Sequence, residues 1–375
     1  MKLLFLVSDA FGGHGGISRF NQDFATALSS APGVDRLVIL PRRAPNPTGT
    51  LPPRVEQRAA PSGKLGFAAA ALTEACRGYD AVICGHINLL PAAAPAARLA
   101  GRDTRLGLVI HGVDAWAPVR GRSLAGIDLL NRIDLTIAVS RYTLDRFRAW
   151  SGVDPARCVV LPNTVDPTVF TPAPPPAALA ARYGLDGGGP VVMGLARLDL
   201  LDPDKGFEEM FAALPRLLTD FPGLRYLVCG DGNGRARLEA EARRRGLERQ
   251  VIFTGFVDET EKADHYRLAD AFVLCGRQEG FGIVLLEAMA CGVPAVASIR
   301  DGSREAVLDG AIGGLADPDD PDDLARAVAA ALTQPRGTVP PALVPAFGPA
   351  AFTRRVHALA EGCVGQPVRR NSRSA

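Results

Sequence analysis

Short unbroken apolar runs alternate along this chain with segments whose apolar residues recur every three or four positions. In the first half the unbroken runs fall at 2–8, 35–40, 80–84, 105–110, 134–139 and 157–161. In the second half they fall at 190–195, 224–230, 250–254, 270–275 and 293–298. The helical period appears over 17–30 and 141–150, then over 206–218, 234–246, 259–269, 283–291 and 320–333. Continuous apolar strands separated by amphipathic helices predict parallel sheets covered by helices on both faces.

At 375 residues the chain is too long for one ordinary core. Proline-rich breaks at 171–176 and 335–349 punctuate it. The reading is two doubly wound α/β domains, Rossmann-like, over 1–165 and 166–348. A C-terminal helix, from 349 to about 363, should return to the first domain, and the polar tail 364–375 should be disordered. In open parallel sheets, ligands bind beyond the carboxyl ends of the strands. Two such domains facing each other would enclose an interdomain cleft.

Composition narrows the class. The N-terminal apolar run ends at Asp9, too soon for a secretory signal. Ala-rich stretches such as 67–72 are too short to span a bilayer. Seven cysteines, an odd number with no Cys-x-x-Cys, fit reduced buried thiols in a cytoplasm. No Cys/His cluster has zinc spacing. Residues 1–165 hold 19 Lys+Arg against 12 Asp+Glu, net +7, and the remainder 23 against 28, net −5. Either the charge is scattered over solvated faces, or a basic half meets an anionic membrane or acceptor.

The densest chemical signal is Glu279-Gly-Phe-Gly-Ile-Val-Leu-Leu-Glu287, two carboxylates separated by seven residues. Gly280 and Gly282 let backbone approach a ligand. Ile283 opens a helix whose N-terminal N–H groups attract phosphate. Glu287 lies one turn, about 6 Å, further along. A diphosphate at the helix start would put a sugar near Glu279 and a ribose near Glu287, the outline of a nucleotide sugar. A buried helix with one satisfied glutamate is the plain alternative. Arg197 and Lys205, on the loop after 190–195, would supply a planar fork and a point charge to a diphosphate. The glycines of 12–16 stand where a strand–helix turn can cradle phosphate or sugar. His111 follows 105–110, and His86 follows 80–84.

These segments, taken in order, resemble the retaining glycosyltransferases of family 4, which have the GT-B fold. The resemblance implies that Gly15 and Gly16 open the first helix near the donor, with His14 outside the minimal pattern. It implies that His111 and Glu279 contact the donor sugar, and that Arg197 and Lys205 bind the diphosphate. Gly255, Phe256 and Val257 would cover the base. Gly280, Phe281, Gly282 and Ile283 would meet the phosphates, and Glu287 the ribose. His86 and His14 are weak candidates for the acceptor side. Asp202-Pro-Asp204 is read as a helix cap and not as a metal pair, so no metal and no cofactor is expected. Asp301 replaces the first glycine of the family's Gly-Gly-x-x-Glu, and that loop is assigned no catalytic role.

The implied activity is a retaining hexosyl transfer from a UDP- or GDP-linked sugar to a hydroxyl acceptor, lipid-linked or soluble, in bacterial envelope or exopolysaccharide synthesis. Nucleic acid is not an expected partner. The expected location is the cytoplasm or the inner membrane face. A nucleotide-sugar epimerase of the same fold and a non-catalytic nucleotide-sugar-binding protein are the alternatives.

Overall fold

A computed structural model of the chain describes residues 1–118, 129–201 and 204–365. Contacts divide it into two units, Met1–Asn163 with the segment from Ala350 onward, and Thr164–Pro349. The expectation of a disordered tail falls, from residue 366, outside the described residues.

The first unit is built on seven parallel strands. They are β1 (Lys2–Val7), β2 (Arg36–Pro41), β3 (Val55–Gln57), β4 (Ala81–Cys84), β5 (Arg105–Ile110), β6 (Leu135–Ala138) and β7 (Cys158–Val160). Their order is β3-β2-β1-β4-β5-β6-β7. Leu3 pairs with Leu37 on one side and with Ala81 on the other. The chain therefore leaves β1 in one direction, returns and crosses to β4. That reversal is the switch point at which loops diverge and leave a crevice. Leu4, Phe5, Leu6 and Val7 are all fully buried, as a strand covered on both faces requires.

Local chemistry starts and stops the helices. Ser140 accepts the Thr143 amide at 3.0 Å to begin the helix Arg141–Ser151, and Gly152 ends it in the left-handed region. The C-terminal helix, Pro349–Gly365, packs in this first unit. Phe352 meets Phe20 edge-on, and the His357 ring lies against Ser30 Oγ at 3.0 Å.

The second unit repeats the plan with β8 (Val191–Leu195), β9 (Arg225–Cys229), β10 (Val251–Gly255), β11 (Ala271–Leu274), β12 (Ala295–Ser298) and β13 (Gly314–Ala316), all parallel. The order is β10-β9-β8-β11-β12-β13, so the switch point lies between β8 and β11. Met210, Phe211, Leu214 and Leu217 form the inward stripe of the helix Phe207–Asp220. Burying each contributes about 1.5–3 kcal/mol. The helix Ile283–Ala290 is buried nearly all round.

Several elements differ from the expectations. The sequence pattern gave no sign of β3, β13 or the helices Gly63–Ala75 and Leu90–Ala100. The two helices are rich in alanine, which gives little contrast between faces, and the second carries Pro95 within it. The proline run 171–176 lies inside the second unit, where the Thr171 carbonyl accepts the Arg267 guanidinium. Among the described residues no helix is long and apolar enough to cross a membrane.

Candidate active site

In the second unit three loops follow the carboxyl ends of β8, β11 and β12. The β8 loop carries Arg197 and Lys205, the β11 loop Glu279 to Gly282, and the β12 loop Asp301 and Gly302. Glycines let them interlock. A Cβ on Gly206 would lie 2.6 Å from the Cys275 backbone, and Gly206 has φ +88°. A Cβ on Gly276 would lie 2.2 Å from the Asp204 carbonyl, and one on Gly302 2.1 Å from the Gly280 carbonyl. No side chain fits at these distances, so glycine is dictated by backbone contact and not by flexibility.

Gly206 also corrects the expected cap. The helix starts at Phe207 with Gly206 as its N-cap and no side-chain capping bond. Asp204 sits two residues before that cap and offers its carbonyl to the Arg277 amide at 3.0 Å. The chain must turn sharply at Gly206 to bring Lys205 against the β11 loop, which leaves no place for an acidic cap. Asp202 and Pro203 lie outside the described residues. Among the described residues no group of three or more His, Cys, Asp or Glu side chains is placed to hold a metal ion.

Lys205, 13% exposed, donates to the Gln278 carbonyl at 2.8 Å and reaches Glu279 Oε2 at 3.4 Å. The other oxygen, Glu279 Oε1, accepts the Gly282 amide at 3.1 Å and the Phe281 amide at 3.5 Å. Gly282 is the N-cap of the helix Ile283–Ala290, with φ +85°. The Glu279 carboxylate is therefore gripped by one ammonium and by the two N–H groups that lead into a helix, the groups expected to hold a diphosphate. Arg197 stands apart from this grip. Its side chain is 72% exposed, with Asp199 at 3.4 Å, although it lines one shallow depression together with Lys205, Phe207 and Arg237.

The backbone of Glu279 is held as firmly as its side chain. Its amide donates to Asp301 Oδ2 at 3.0 Å, and its carbonyl accepts the Gly302 amide at 2.9 Å. Asp301 is fully buried, and its Oδ1 accepts both the Ser303 amide at 3.0 Å and the Ser303 hydroxyl at 2.6 Å. Burial, reinforced by the Glu279 charge, pushes the Asp301 carboxyl up to about 7.

Glu287, the expected ribose contact, lies inside the buried helix Ile283–Ala290. It is 3% exposed. Lys262 Nζ donates to it at 3.0 Å and Tyr266 OH at 2.6 Å. Lys262 and Tyr266 stand four residues apart on one face of the helix Lys262–Leu268. The carboxylate and the Glu259 charge more than offset the burial of the Lys262 ammonium, whose pKa is raised. Side chains of Phe281 and Ile283 are also buried, and Phe281 packs edge-on against Phe347. Their backbone N–H groups are what the loop offers. At the far edge of the sheet, after β10, Gly255 has φ +79°, Phe256 is 65% exposed and Val257 is buried. Of that trio only Phe256 presents a side chain to solvent.

A larger hollow of about 350 Å³ lies elsewhere in the second unit, lined by Pro172 to Pro175, Arg267, Cys291 and Arg336. None of the expected donor residues lines it. Its two guanidiniums are already engaged by Asp264 and Asp270.

The first unit gathers the remaining candidates at the ends of β1, β4 and β5. Gly15, φ +86°, caps the helix Gly16–Ser29, and the exposed His14 ring meets Asn46 Nδ2 at 2.6 Å. The His111 ring donates from Nε2 to the Gly85 carbonyl at 2.9 Å, which makes Nδ1 the acceptor nitrogen. Burial pushes its pKa down to about 4, so the ring is neutral near pH 7. The His86 ring stacks 6.3 Å from His111, accepts the Asn88 amide on Nδ1 and points Nε2 towards Asp114 at 3.7 Å.

Sequence reasoning missed Lys262, Tyr266 and Asp301. The first two carried a signal in their four-residue spacing. Asp301 carried one in Asp-x-Ser, a side chain that bonds the backbone two residues on.

Comparisons with known proteins bear on the family and the fold. The chain is 38% identical over 253 residues to a GDP-mannose-dependent alpha-(1-6)-phosphatidylinositol monomannoside mannosyltransferase of Mycolicibacterium smegmatis, covering 64% of each chain. It is 39% identical over 171 residues to a D-inositol 3-phosphate glycosyltransferase of Kineococcus radiotolerans, covering 43% of this chain and 39% of that one. The chain thus spans less than two thirds of the length of either relative. Among solved structures, Anabaena HepE in complex with UDP and glucose matches with TM-score 0.75 and 24% identity over 98% of this chain and 100% of that one. Sucrose-phosphate synthase from Thermosynechococcus elongatus matches with TM-score 0.79 and 20% identity over 97% and 99%. At such identities the likeness is one of fold, the GT-B fold with its two Rossmann-like units. The family model "Glycosyltransferase Family 4" matches residues 14–169, and "Glycosyl transferases group 1" matches 180–340. With both models met in order along one polypeptide, the chain belongs to the family-4 glycosyltransferases.

Proposed function

We propose that the protein transfers a hexosyl group from a nucleoside diphosphate sugar to a hydroxyl acceptor, with retention at the anomeric carbon. The observation that supports this reading is the grip on the Glu279 carboxylate. One ammonium and a helix-start N–H pair, brought from two different loops, converge on a single anion. A donor phosphate would replace that carboxylate on the Gly282 N–H and free Glu279 to turn towards the sugar. Lys205 and Arg197 would then stabilise the departing diphosphate, where negative charge grows as the glycosidic bond breaks. A phosphate oxygen would take the acceptor's proton. His111, neutral and with Nδ1 as acceptor, suits a sugar hydroxyl. Glu287 would reach the ribose while tied to Lys262 and Tyr266, since a carboxylate has about four acceptor sites. Phe256 would lie against the base. The grip needs no bound cation, so transfer should survive chelation by EDTA.

The relatives' names point to GDP-mannose as the first donor to try and to a polar lipid as the first acceptor class. A peripheral position on the inner face of an anionic membrane fits that acceptor. The net +7 of residues 1–165 supports it, as does Leu65, 87% exposed on the helix Gly63–Ala75 beside Lys64.

The test is a thermal-stability screen with GDP, UDP, GDP-mannose and UDP-glucose, followed by transfer assays with the stabilising donor. A ligand that binds only the folded chain raises its midpoint. No shift with any nucleotide would sink the reading. Conversion of the donor sugar to an epimer without an acceptor would replace it with the epimerase alternative, and binding without turnover with the binding-protein alternative.

A further inference from the structure

Asp301 stands outside every role assigned so far, yet it is the most buried acid beside the site. Its carboxylate joins Glu279 to Ser303, and its neighbour Gly302 adds a second tie to Glu279. Oδ2 accepts the amide of Glu279, Oδ1 accepts the amide and hydroxyl of Ser303, and the next residue, Gly302, donates its amide to the Glu279 carbonyl. The Gly302 Cα also lies so close under the Gly280 carbonyl that no Cβ fits between them. The peptide groups on both sides of Glu279 are thus fixed by residues 301 and 302. The direction of the Glu279 side chain follows from that backbone.

We propose that Asp301 is a positioning residue for transfer: through the Glu279 amide it sets the direction of the Glu279 carboxylate. The proposal rests on the glycosyl-transfer reading of Glu279. Two observations separate it from a plain turn cap. A cap for Ser303 alone needs one oxygen, and Asp301 sends its second oxygen across to another loop. A buried carboxylate pushed up to about 7 is also an unfavourable group to keep in a core, which a hydrogen-bonding asparagine would avoid. Asparagine has the same shape and keeps an acceptor for Ser303. It presents an NH2 to the Glu279 N–H, donor against donor, and so loses the bond between the loops.

The experiment compares wild type with Asp301→Asn and, as a milder variant, Ser303→Ala. Three quantities are read: the affinity for free GDP and UDP, kcat and KM for donor transfer, and the hydrogen-exchange rate of the Glu279 amide. Asp301→Asn should lower kcat about tenfold or more, change GDP or UDP affinity less than twofold, and speed exchange of the Glu279 amide. Ser303→Ala, which removes one support of Asp301, should move kcat and exchange in the same direction by less. Unchanged kcat together with unchanged exchange in Asp301→Asn would overturn the proposal. So would a fall in nucleotide affinity that matches the fall in kcat, because that marks general damage to the site. Should Asp301→Asn not fold, Ser303→Ala decides alone by the same two readouts. Wild-type protein that transfers no sugar defeats the parent reading, whereas the amide exchange still decides whether Asp301 holds Glu279.

Discussion

Lys205 and Glu279 lie 74 positions apart in sequence, and the Lys205 ammonium stands 3.4 Å from the Glu279 carboxylate while bonding the carbonyl of the residue before it. The lysine therefore reads both the backbone and the side chain of the β11 loop. Lys205→Ala should lower kcat about 10²-fold or more, in line with loss of one preorganised donor to a developing charge, and raise donor KM by a smaller factor. Lys205→Arg should not restore it. The slot is nearly closed, and a planar guanidinium is wider than an ammonium. Steady-state kinetics of the three proteins settles the matter: a change in KM alone would mean that Lys205 holds ground state and transition state equally.

Glu287 has two possible duties, and two variants separate them. Lys262→Met removes the ammonium but leaves the Tyr266 hydroxyl bond, so it should lower the unfolding midpoint with little effect on GDP or UDP affinity. Glu287→Gln leaves the Lys262 ammonium, 10% exposed, with Glu259 as its remaining carboxylate. It should cost up to about 3 kcal/mol of stability and also weaken nucleotide binding. Calorimetry on both variants reads the two effects. Equal nucleotide affinity in wild type and Glu287→Gln would confine Glu287 to packing.

His111 should act without changing charge. Its pKa of about 4 lies below that of an ordinary histidine, so the folded chain holds this proton less tightly than the unfolded chain does. The stability that follows is present above pH 6.5 and is lost as pH falls towards 4. His111→Ala should flatten that part of the stability–pH curve. It should also reduce transfer about 10²-fold while GDP or UDP binds normally. A variant that loses nucleotide binding as well would show the ring to be a packing element.

Asp301 gives the opposite sign. Its pKa is raised to about 7, so the folded chain holds the proton more tightly than the unfolded chain. The contribution is present below pH 4 and fades as pH rises through 7. The groups facing it are the Glu279 carboxylate, which is tied to Lys205, the Cys275 thiol, itself pushed up by burial, and the Ser303 hydroxyl. On its own loop, Arg300 pairs with Asp317 and Arg304 with Asp309. Asp301→Asn should therefore gain stability relative to wild type between pH 5 and 8, by a few kcal/mol at most. Denaturant titrations at those two pH values check the slope, and parallel curves would show that Asp301 does not titrate there.

The strands were legible because each is apolar from end to end and flanked by helical spacing, as in Leu3 to Val7 and Val191 to Met193. Glu279, Lys205 and His111 stood out as candidates because each follows such a strand at its carboxyl end. What escaped was set by three-dimensional neighbours. Val55–Gln57 is a strand only because Leu37 and Ile39 offer it an edge. Glycine at 206 is required by the Cys275 backbone, about seventy residues away. The loop of Asp301 was assigned no catalytic role because one glycine of the family pattern is missing. Sequence carries no record of the Glu279 amide that the aspartate meets instead.

The interlock of Gly206, Gly276 and Gly302 has a bearing on how this protein can change. The three loops that carry Lys205, Glu279 and Asp301 have no free play against one another, so none can lengthen or shift without disturbing the others. Adaptation to a new donor is closed off there and open after β10, where the Phe256 side chain projects from a sheet edge into solvent. Variation among descendants of this chain should accordingly fall on position 256 and its neighbours, while the glycines stay fixed.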